Sequence, residues 1–452
     1  MTRNKLTDLY LEHVRRRGDK AAELIATQPD SEMLNALYKG RYLSRPLFLE
    51  AAEREQLHRD VENVRTALTS LPDRLFGGDL AAFARAVGMD EVQAAAVARS
   101  RAPQPTRFTR ADMYADASGF RLMEFNMGST LGGVDNAQLS RALLTHPGLA
   151  EFAEEHKLSL LDTAVEQMNT LYAETGTTAE GNPFIALTDW PTSFEDLGPY
   201  LHHVTANWAK SGIEAEACHV GQLEARDGGI WLNGRRVDVV YRLFMLEDLV
   251  SSPEAPALFE PVLAAVERGE VKIFTPLDAE VYASKGALAM LSDEANRHLF
   301  SSEELASLDR TLPWTRMVRE GLVSLEDGSS VDLLEYALGH REELVLKPTS
   351  LHGGQGVLVG WHPDVTDEDW ATALGEAMDG PFTLQRRIHP VPELFPGEDG
   401  EPEPWLVVWG VFTVSSGYGG VTARATRSDD PHSHVINVSS GASGGSALHA
   451  EV

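Results

Sequence analysis

The spacing of hydrophobic and polar residues changes along the chain, and each spacing predicts a different kind of element. Through the first hundred residues apolar positions recur three and four apart, as in LTDLYLEHV and LFLEAAEREQLHRDVENVRTALTSL, which predicts helices. The spacing changes after Pro105, where RFTRADMYADASGFRLMEFNMGS predicts two short strands joined by a turn at 117–119. Helical spacing returns from Asn136 and again through LSLLDTAVEQMNTLYAET. The first 180 residues therefore read as helices around one strand hairpin.

From residue 182 onward, strand and helix patterns alternate. PFIALTDW and EAEACHV predict strands on either side of a helix that Gly212 closes. WLNGRRVDVVYRLF predicts a hairpin with Asn233 and Gly234 at its turn, followed by a buried strand. This alternation predicts a small sheet with flanking helices over roughly 182–280.

Strand patterns dominate the last third of the chain. LVLKPTSLHGGQGVLVG predicts a strand, a glycine-rich loop and a second strand, and PFTLQRRI predicts a strand after the helix WATALGEAM. VPELFPGEDGEPEPW reads as an exposed acidic connection, and LVVWGVFTVSSGYGGVTARATRS as a strand pair turning at 417–420. The Gly/Ser-rich tail from Asn437 is either a flexible end or a substrate-facing loop, and its composition favours the flexible end.

Composition narrows the classes of function. A chain of 452 residues with 43% hydrophobic residues is long enough for two or three domains. Its formal charge of −29 argues against nucleic acid or an anionic membrane as the main partner, because both need clustered cations. The single cysteine, Cys218, excludes an intramolecular disulfide and favours a buried packing residue over a nucleophile. Since neither a signal sequence nor an apolar run of ~20 residues is recognisable, we expect a cytoplasmic protein.

The glycine-rich loop suggests a phosphate contact. Gly353, Gly354 and Gly356 permit positive φ and let backbone N–H groups approach phosphate oxygens. Lys347, one of eight lysines in an acidic chain, stands at the entrance to the loop and supplies a compact positive charge. The pattern lacks the Gly-Lys-Ser/Thr ending of a P-loop. A hairpin with a glycine-rich turn and no ligand is the alternative at this point.

The hairpin predicted at 107–129 carries a second candidate site. Arg110 and Asp112 share one face of the first strand, and Glu124 and Asn126 share one face of the second. If the strands pair around the 117–119 turn, these faces coincide. Carboxylate and amide oxygens suit Mg²⁺, and a neighbouring arginine can hold a phosphate that the metal also contacts. The alternative is a solvated polar face on an amphipathic hairpin.

With these motifs in hand, RADMYAD…FRLMEFNMGSTLGG resembles the metal-binding hairpin of the glutathione synthetase and glutathionylspermidine synthetase group, the circularly permuted ATP-grasp ligases. The resemblance implies that Asp112, Glu124 and Asn126 bind Mg²⁺, that Arg110 is catalytic, and that Ser129 contacts substrate. It extends in order from about residue 107 to the end of the sequence and leaves the first hundred residues unmatched.

Further segments carry the resemblance along the chain. ASKGAL is similar to the segment of the first ATP-binding lysine, here Lys285, and VLKPTSLHGGQGV to the second lysine and the lid loop. VDVVYRLF resembles the strand that ends in a substrate-contacting arginine, Arg242, and VTARAT places Arg424 near the late catalytic arginine. The implied ATP contacts are Lys285, Lys347, Gly353, Gly354, Gln355 and Gly356, with the adenine-side segment Gln385, Arg386, Arg387 and Ile388.

Two departures separate this sequence from the group it resembles. The lid loop reads TSLH, so Ser350 and His352 stand where an acidic phosphate-side ligand is usual, which puts a second Mg²⁺ in doubt. Met245 stands where an aromatic substrate contact is expected, and no amidase domain is recognisable. We therefore expect neither glutathione nor glutathionylspermidine to be the product.

The sequence thus predicts an α+β, glutathione synthetase-like, circularly permuted ATP-grasp fold. Its expected parts are a helical region at 1–105, a metal-binding part at 106–180, an α/β substrate lobe at 181–280 and an ATP-clamping part at 281–452. The expected activity is ATP- and Mg²⁺-dependent ligation of a small carboxylate, such as an amino acid or peptide, to an amine through an acyl phosphate. Partners would be these small molecules and, for the unmatched helical region, a second copy in a homodimer.

Two alternatives remain open from the sequence. One is a phosphotransferase of the same fold that stops after phosphorylation. The other is a degenerate nucleotide-binding scaffold protein, which the TSLH loop makes plausible.

Overall fold

The structure is a computed structural model that describes residues 4–25, 31–128, 131–351, 354–430 and 435–451. The chain begins with helices, as predicted, because end signals match the apolar spacing: Asn4 caps the first helix and Gly18, with φ of 74°, ends it. The elements are α1 Lys5–Arg17, α2 Ala21–Ile25, α3 Glu32–Tyr38, β1 Leu47–Leu49, α4 Ala51–Thr69, α5 Leu71–Phe76, α6 Leu80–Ala86 and α7 Glu91–Arg99.

The hairpin predicted from RFTRADMYADASGFRLMEFNMGS is confirmed. Its strands pair antiparallel, and Asp116 accepts hydrogen bonds from the turn residues Ser118 and Gly119. Helices follow as predicted from Asn136 and through most of LSLLDTAVEQMNTLYAET, but the first two residues of that segment form a strand, so its helix begins only at Thr163. The elements are β2 Thr109–Ala115, β3 Phe120–Met127, α8 Asn136–Leu143, α9 Pro147–Glu155, β4 Leu158–Ser159 and α10 Thr163–Thr175.

The alternating segment forms a small α/β lobe, as predicted. Its parallel sheet has the order β11-β10-β5-β6, and a meander of β7, β8 and β9 lies beside it. Cys218 is buried there, and burial raises the pKa of its thiol to about 12. The elements are β5 Ile185–Asp189, α11 Pro191–Lys210, β6 Ala215–His219, β7 Glu224–Arg226, β8 Gly229–Leu232, β9 Arg235–Val237, β10 Val239–Arg242, α12 Ala255–Glu267 and β11 Lys272–Phe274.

The remaining chain contributes an antiparallel sheet of order β12-β17-β15-β16 and the long strands of a central sheet. The elements are α13 Ala279–Ala283, α14 Lys285–Ser292, α15 Ser302–Thr311, β12 Thr315–Met317, β13 Leu322–Ser324, β14 Ser330–Asp332, α16 Leu333–Gly339, β15 Leu344–Pro348, β16 Leu358–Val359, α17 Asp367–Ala377, β17 Phe382–Arg386, β18 Glu393–Pro396, β19 Pro402–Val414, β20 Gly417–Arg427 and β21 Ser443–Ala450. Part of the acidic connection thus pairs as β18, and the β19–β20 turn lies at 415–416, slightly before the predicted glycines.

The central sheet joins distant parts of the chain. Its order is β1-β21-β20-β19-β2-β3, with β18 on β19 and β4 on β21. Leu57 and Val61 of α4 share one hydrophobic core with Ala111 and Phe125 of the hairpin, so the helical region packs directly on this sheet. Within the described segments, no helix combines the length and apolar character needed to cross a membrane.

The expectation of a flexible tail is wrong for residues 443–450. These residues form β21, which pairs with β20 and lies parallel to β1 in the central sheet. A Cβ on Gly444 would stand 2.0 Å from the Tyr38 ring, and one on Gly445 would stand 2.7 Å from Leu43. The glycines therefore serve close packing, which composition alone cannot distinguish from flexibility.

Candidate active site

A cavity of about 680 Å³ lies between the central sheet and the sheet that contains β15 and β17. This volume is within the range of small-molecule sites. The residues that line it come from strands of both sheets, from α13 and α14, and from loops beside them. They include Arg110, Asp112, Tyr114, Met123, Glu124, Asn126, Lys285, Lys347, Leu351, Gly354, Trp361, Gln385, Arg386, Arg387, Ile388, Leu406, Val408, Arg424, Asp430 and Asn437.

The β2–β3 hairpin supplies a polar wall. Arg110 stands opposite Asn126 in the strand register and Asp112 stands opposite Glu124, and all four side chains line the cavity. On the other side of β2, Gly410 of β19 faces Asp112. A Cβ on Gly410 would approach Arg110 Cδ to 3.0 Å and Asp112 Oδ1 to 3.3 Å, so a glycine here leaves room for this pair.

Asp112 lies between two arginines. Arg110 donates from Nε to Oδ1 at 2.7 Å and from Nη2 to Oδ2 at 3.0 Å, and Arg424 Nη2 lies 2.7 Å from Oδ2. Burial opposes the charge on this carboxyl, but the two guanidinium groups outweigh it and lower the pKa of Asp112 to about 2. Asp112 is therefore ionised under all ordinary conditions. Arg110 also donates to the carbonyl of Leu131, which fixes the start of the next loop.

Lys285 joins the hairpin to the lid loop. It is the first residue of α14, and its Nζ donates to Glu124 Oε1 at 2.9 Å and to the carbonyl of Leu351 at 3.0 Å. The helix can start here because residue 286 is glycine: a Cβ would stand 2.7 Å from the carbonyl oxygen of Val87. Glu124 and Lys285 are 161 positions apart in sequence, so only the tertiary fold brings them together.

Lys347 is the second buried lysine of the cavity. Its Nζ donates to Gln385 Oε1 at 2.6 Å and to the carbonyl of Met123 at 3.3 Å. Burial lowers the pKa of Lys347 to about 8, the charge on Lys285 adds to the effect and Glu124 opposes it. Because its partners are neutral, Lys347 keeps a charge that a bound anion could use.

The glycine-rich loop covers one side of the cavity. Gly354 and Gly356 have φ of 84° and 68°, the left-handed conformation that the sequence predicts for such a loop. Gly354 lines the cavity and meets the segment after β20, since a Cβ there would stand 2.6 Å from Val435. Gln355 and Gly356 are exposed and do not line it. Gly353 and His352, like Ser129, lie outside the described residues.

The segment at the end of β17 lines the cavity with all four of its predicted residues, 385–388. The Arg386 guanidinium turns away, because Glu326 accepts two hydrogen bonds from it and Tyr336 a third. Arg387 stacks over the Trp361 ring at 4.2 Å. Apolar side chains from both sheets also line the cavity, namely Val345 and Val359 from the sheet that contains β17 and Met123, Leu406 and Val408 from the central sheet, and such a slot suits a planar ring.

Arg242 does not line this cavity. Its side chain is fully buried in the α/β lobe, where Glu280 and the carbonyls of Phe244, Thr275 and Pro276 accept hydrogen bonds from it. A substrate contact by Arg242 therefore stays a prediction, and it would require these partners to be displaced.

Sequence reasoning missed several cavity residues. Tyr114 follows Arg110 and Asp112 at the same two-residue spacing, which could have identified it. Trp361, Asp430 and Asn437 gave no comparable signal, since each stands in a loop far along the chain. A second cluster of possible metal ligands consists of Asp19, Glu23 and His146, whose ligand atoms all lie within 4.8 Å of one another. These residues do not line the cavity, and Asp19 forms an ion pair with Arg17.

The residues present fit the Mg²⁺ and ATP that the resemblance implies. Asp112, Glu124 and Asn126 offer carboxylate and amide oxygens on two adjoining strands, the donor set that Mg²⁺ prefers. Four cations, namely Arg110, Lys285, Lys347 and Arg424, surround this set, and polyphosphate needs such a concentration of positive charge.

Comparisons with known proteins bear on the fold. No protein-family model matches the chain, and no curated protein matches it significantly. A glutathione synthetase-like effector from Globodera pallida, solved in its apo form, aligns with a TM-score of 0.56 at 13% identity and covers 90% of this chain and 89% of its own.

Two further solved structures align more weakly. A putative gamma-glutamylcysteine synthetase from Methylobacillus flagellatus has a TM-score of 0.41 at 9% identity, covering 93% of this chain and 89% of its own. A D-cycloserine synthetase has a TM-score of 0.26 at 17% identity, covering 55% and 76%. At these scores neither supports an argument. By the Globodera pallida alignment, the chain has the fold of that glutathione synthetase-like protein.

Proposed function

We propose that this protein is an ATP- and Mg²⁺-dependent ligase that joins a carboxylate to an amine through an acyl phosphate and releases ADP and phosphate. One observation carries the proposal: Asp112, Glu124 and Asn126 share a single cavity with four cations on a glutathione synthetase-like fold. The proposal includes the circularly permuted connectivity that the sequence resemblance implies.

Activation of the carboxylate is the chemical problem. A carboxylate carbon is a poor electrophile, and transfer of the γ-phosphoryl group to its oxygen gives an acyl phosphate with a good leaving group. The amine nitrogen then attacks the acyl carbon, the C–O bond to phosphate breaks, and the nitrogen loses a proton. Because the reactants are crowded anions, the protein must neutralise charge and align them.

The cavity residues meet these needs. Lys285 and Lys347 would hold phosphate oxygens, and Arg110 and Arg424 would stabilise charge on the transferred group and on the tetrahedral oxyanion. Asp112, Glu124 and Asn126 would hold Mg²⁺, which would supply positive charge to neutralise the polyphosphate. Removing one such charge contact typically lowers turnover by about 10²–10³-fold.

The slot between β15–β17 and the central sheet suits the nucleobase. Trp361, with Arg387 stacked on it, and the apolar side chains that line the cavity would enclose the ring, and the glycine-rich loop would exclude water that hydrolyses an acyl phosphate. Ser350 and His352 replace the usual acid of this loop, so the proposal assigns the metal to the hairpin alone.

The proposal is tested by incubating the protein with Mg²⁺-ATP and pooled amino acids and small peptides, then identifying products by mass spectrometry. We expect a condensation product and ADP only when acid and amine are both present. Glu124→Gln keeps the shape of the side chain and should abolish turnover. A phosphorylated acid that forms without the amine would instead identify a phosphotransferase, and unchanged turnover in Glu124→Gln would contradict the assigned site.

A further inference from the structure

The acidic side chains that would bind metal are already paired with the cations that would bind phosphate. Arg110 and Arg424 both contact Asp112, with N–O distances of 2.7 to 3.0 Å. Lys285 contacts Glu124 at 2.9 Å. Of the four cations beside the hairpin, the three other than Lys347 thus lie on the two carboxylates of the proposed metal site.

Asn126, the third proposed metal ligand, is also already engaged with its neighbours. Asn126 Nδ2 donates to Asp112 Oδ2 at 3.3 Å and to the carbonyl of Arg110 at the same distance. The amide therefore presents its N–H group to the carboxylate that would share a metal with it. A cation on this set needs Asn126 to turn its oxygen inward, and nothing favours that turn while Asp112 keeps both arginines.

The charge balance opposes a metal ion by itself. Around the hairpin, the four cations and two carboxylates give a net charge of +2, and the pairs lie in a buried site where charges are weakly screened. A divalent cation that entered without phosphate would raise this charge and would displace Arg110 and Arg424 from Asp112, the carboxylate that both contact. A polyphosphate offers these arginines new anionic acceptors, so its arrival removes the obstacle.

We propose that the cavity binds a divalent cation and a nucleoside polyphosphate together, by an exchange of ionic partners. Arg110, Arg424 and Lys285 leave their carboxylates for phosphate oxygens, and the carboxylates then receive the cation. This inference rests on the proposed function, because it assumes that the cavity accepts a nucleotide. Lys347, whose partners are neutral, is the cation available for first contact with phosphate.

Binding linkage gives the exchange a measurable form. Since each ligand removes the obstacle to the other, nucleotide must raise the affinity for the cation by the same factor as the cation raises affinity for nucleotide. We expect this factor to be on the order of 10- to 100-fold.

The test uses the 452-residue protein with Mn²⁺ as the probe cation. Electron paramagnetic resonance measures the concentration of unbound Mn²⁺, and hence how much the protein has bound. The nucleotide-free protein should bind Mn²⁺ weakly, and a non-hydrolysable ATP analogue should produce joint binding by calorimetry. Arg424→Met removes one arginine from Asp112, so it should tighten Mn²⁺ binding without nucleotide by about tenfold or more, while it weakens binding of the analogue.

Arg427→Met is the matched control. Arg427 lies on the same strand β20, but it is half exposed and pairs with Glu403 and Asp429 outside the cavity. It should change neither Mn²⁺ nor nucleotide binding. A variant that merely disturbs the fold would weaken both ligands, so tighter Mn²⁺ binding in Arg424→Met is the result that a structural role cannot produce.

Tight Mn²⁺ binding by the nucleotide-free wild-type protein would overturn the exchange, and this measurement decides the matter even if Arg424→Met does not fold. Unchanged or weaker Mn²⁺ binding in a folded Arg424→Met would overturn it as well. Failure of the analogue to bind at any cation concentration would instead overturn the proposed function. The two failures are therefore distinguishable.

Discussion

Two arginines, the fully buried Arg242 of the α/β lobe and the partly buried Arg424 of the central sheet, each stand beside a carboxylate, yet their surroundings differ. Every nitrogen of the Arg242 guanidinium donates to a carbonyl or to Glu280, and its side chain has 0% exposure. Arg424 lines the cavity, and its Nε has no hydrogen-bond partner among the described residues. Arg242 is thus saturated by protein, whereas Arg424 keeps donors for a ligand.

The difference shows what burial of an arginine means for function. Arg242 connects three backbone carbonyls after β10 and β11 to Glu280, which in turn accepts from the amide of Leu246, so it organises loops. Among the described residues, the Arg424 side chain pairs with Asp112, which also pairs with Arg110. Removing the first arginine should affect stability, and removing the second should affect ligand chemistry.

The largest expected effect is on stability. Arg242→Met leaves Glu280 buried without its cation, and we expect a loss of about 3–5 kcal/mol in the free energy of unfolding. Arg424→Met leaves Asp112 paired with Arg110 and should therefore cost less than Arg242→Met. Urea unfolding of both variants measures this, and equal losses would remove the distinction between the two arginines.

The next effect is on turnover by the proposed ligase. Arg424→Met should lower turnover by about 10²–10³-fold at saturating Mg²⁺-ATP, because its guanidinium would face charge that develops in the cavity. Arg427→Met on the same strand should leave turnover unchanged. A product assay by mass spectrometry compares the two, and similar rates for both variants would show that Arg424 does not take part.

The smallest expected effect is a pH dependence due to Lys347. Its pKa of about 8 means that the ammonium is complete below that pH and is lost as pH rises above it. Nucleotide affinity should therefore be flat below about pH 8 and fall above it, by up to about tenfold per pH unit. Stability should change in the other direction. Between pH 8 and 10.5 the unfolded chain keeps a proton on this lysine that the folded chain has lost, so the free energy of unfolding should rise with pH over this range.

Calorimetry of the ATP analogue across this pH range measures the effect. Lys347→Met should bind more weakly at every pH and lose the dependence above pH 8. If the slope persisted in Lys347→Met, another group would be responsible for it.

Much of the local structure could be predicted from the sequence. The hairpin with Asp112 and Glu124 on one face, the glycine-rich loop and the α/β alternation all depend on residues close in sequence, where period and turn chemistry are readable. The glutathione synthetase-like fold was implied by the order of several short motifs and is confirmed by the structural alignment.

The tail and Arg242 show where such reasoning ends. Glycines at 444 and 445 read as flexible by composition, but they lie under Tyr38 and Leu43, residues about four hundred positions earlier. Arg242 ends a strand in a motif that implies a substrate contact, but Thr275 and Glu280 enclose it. Neither environment leaves a trace in the neighbouring sequence.

The sequence by itself determined which residue types were available. It placed two carboxylates and an amide on one face of the hairpin, a lysine at the start of α14, and a lysine before a loop whose glycines permit positive φ. Only the tertiary structure decided which charges meet. Lys285 reaches Glu124 across 161 positions, and Arg424 reaches Asp112 from β20, which lies beyond β19 in the same sheet. The physical reason is that ion pairing in a buried site depends on distance and desolvation, which the packing of remote strands sets.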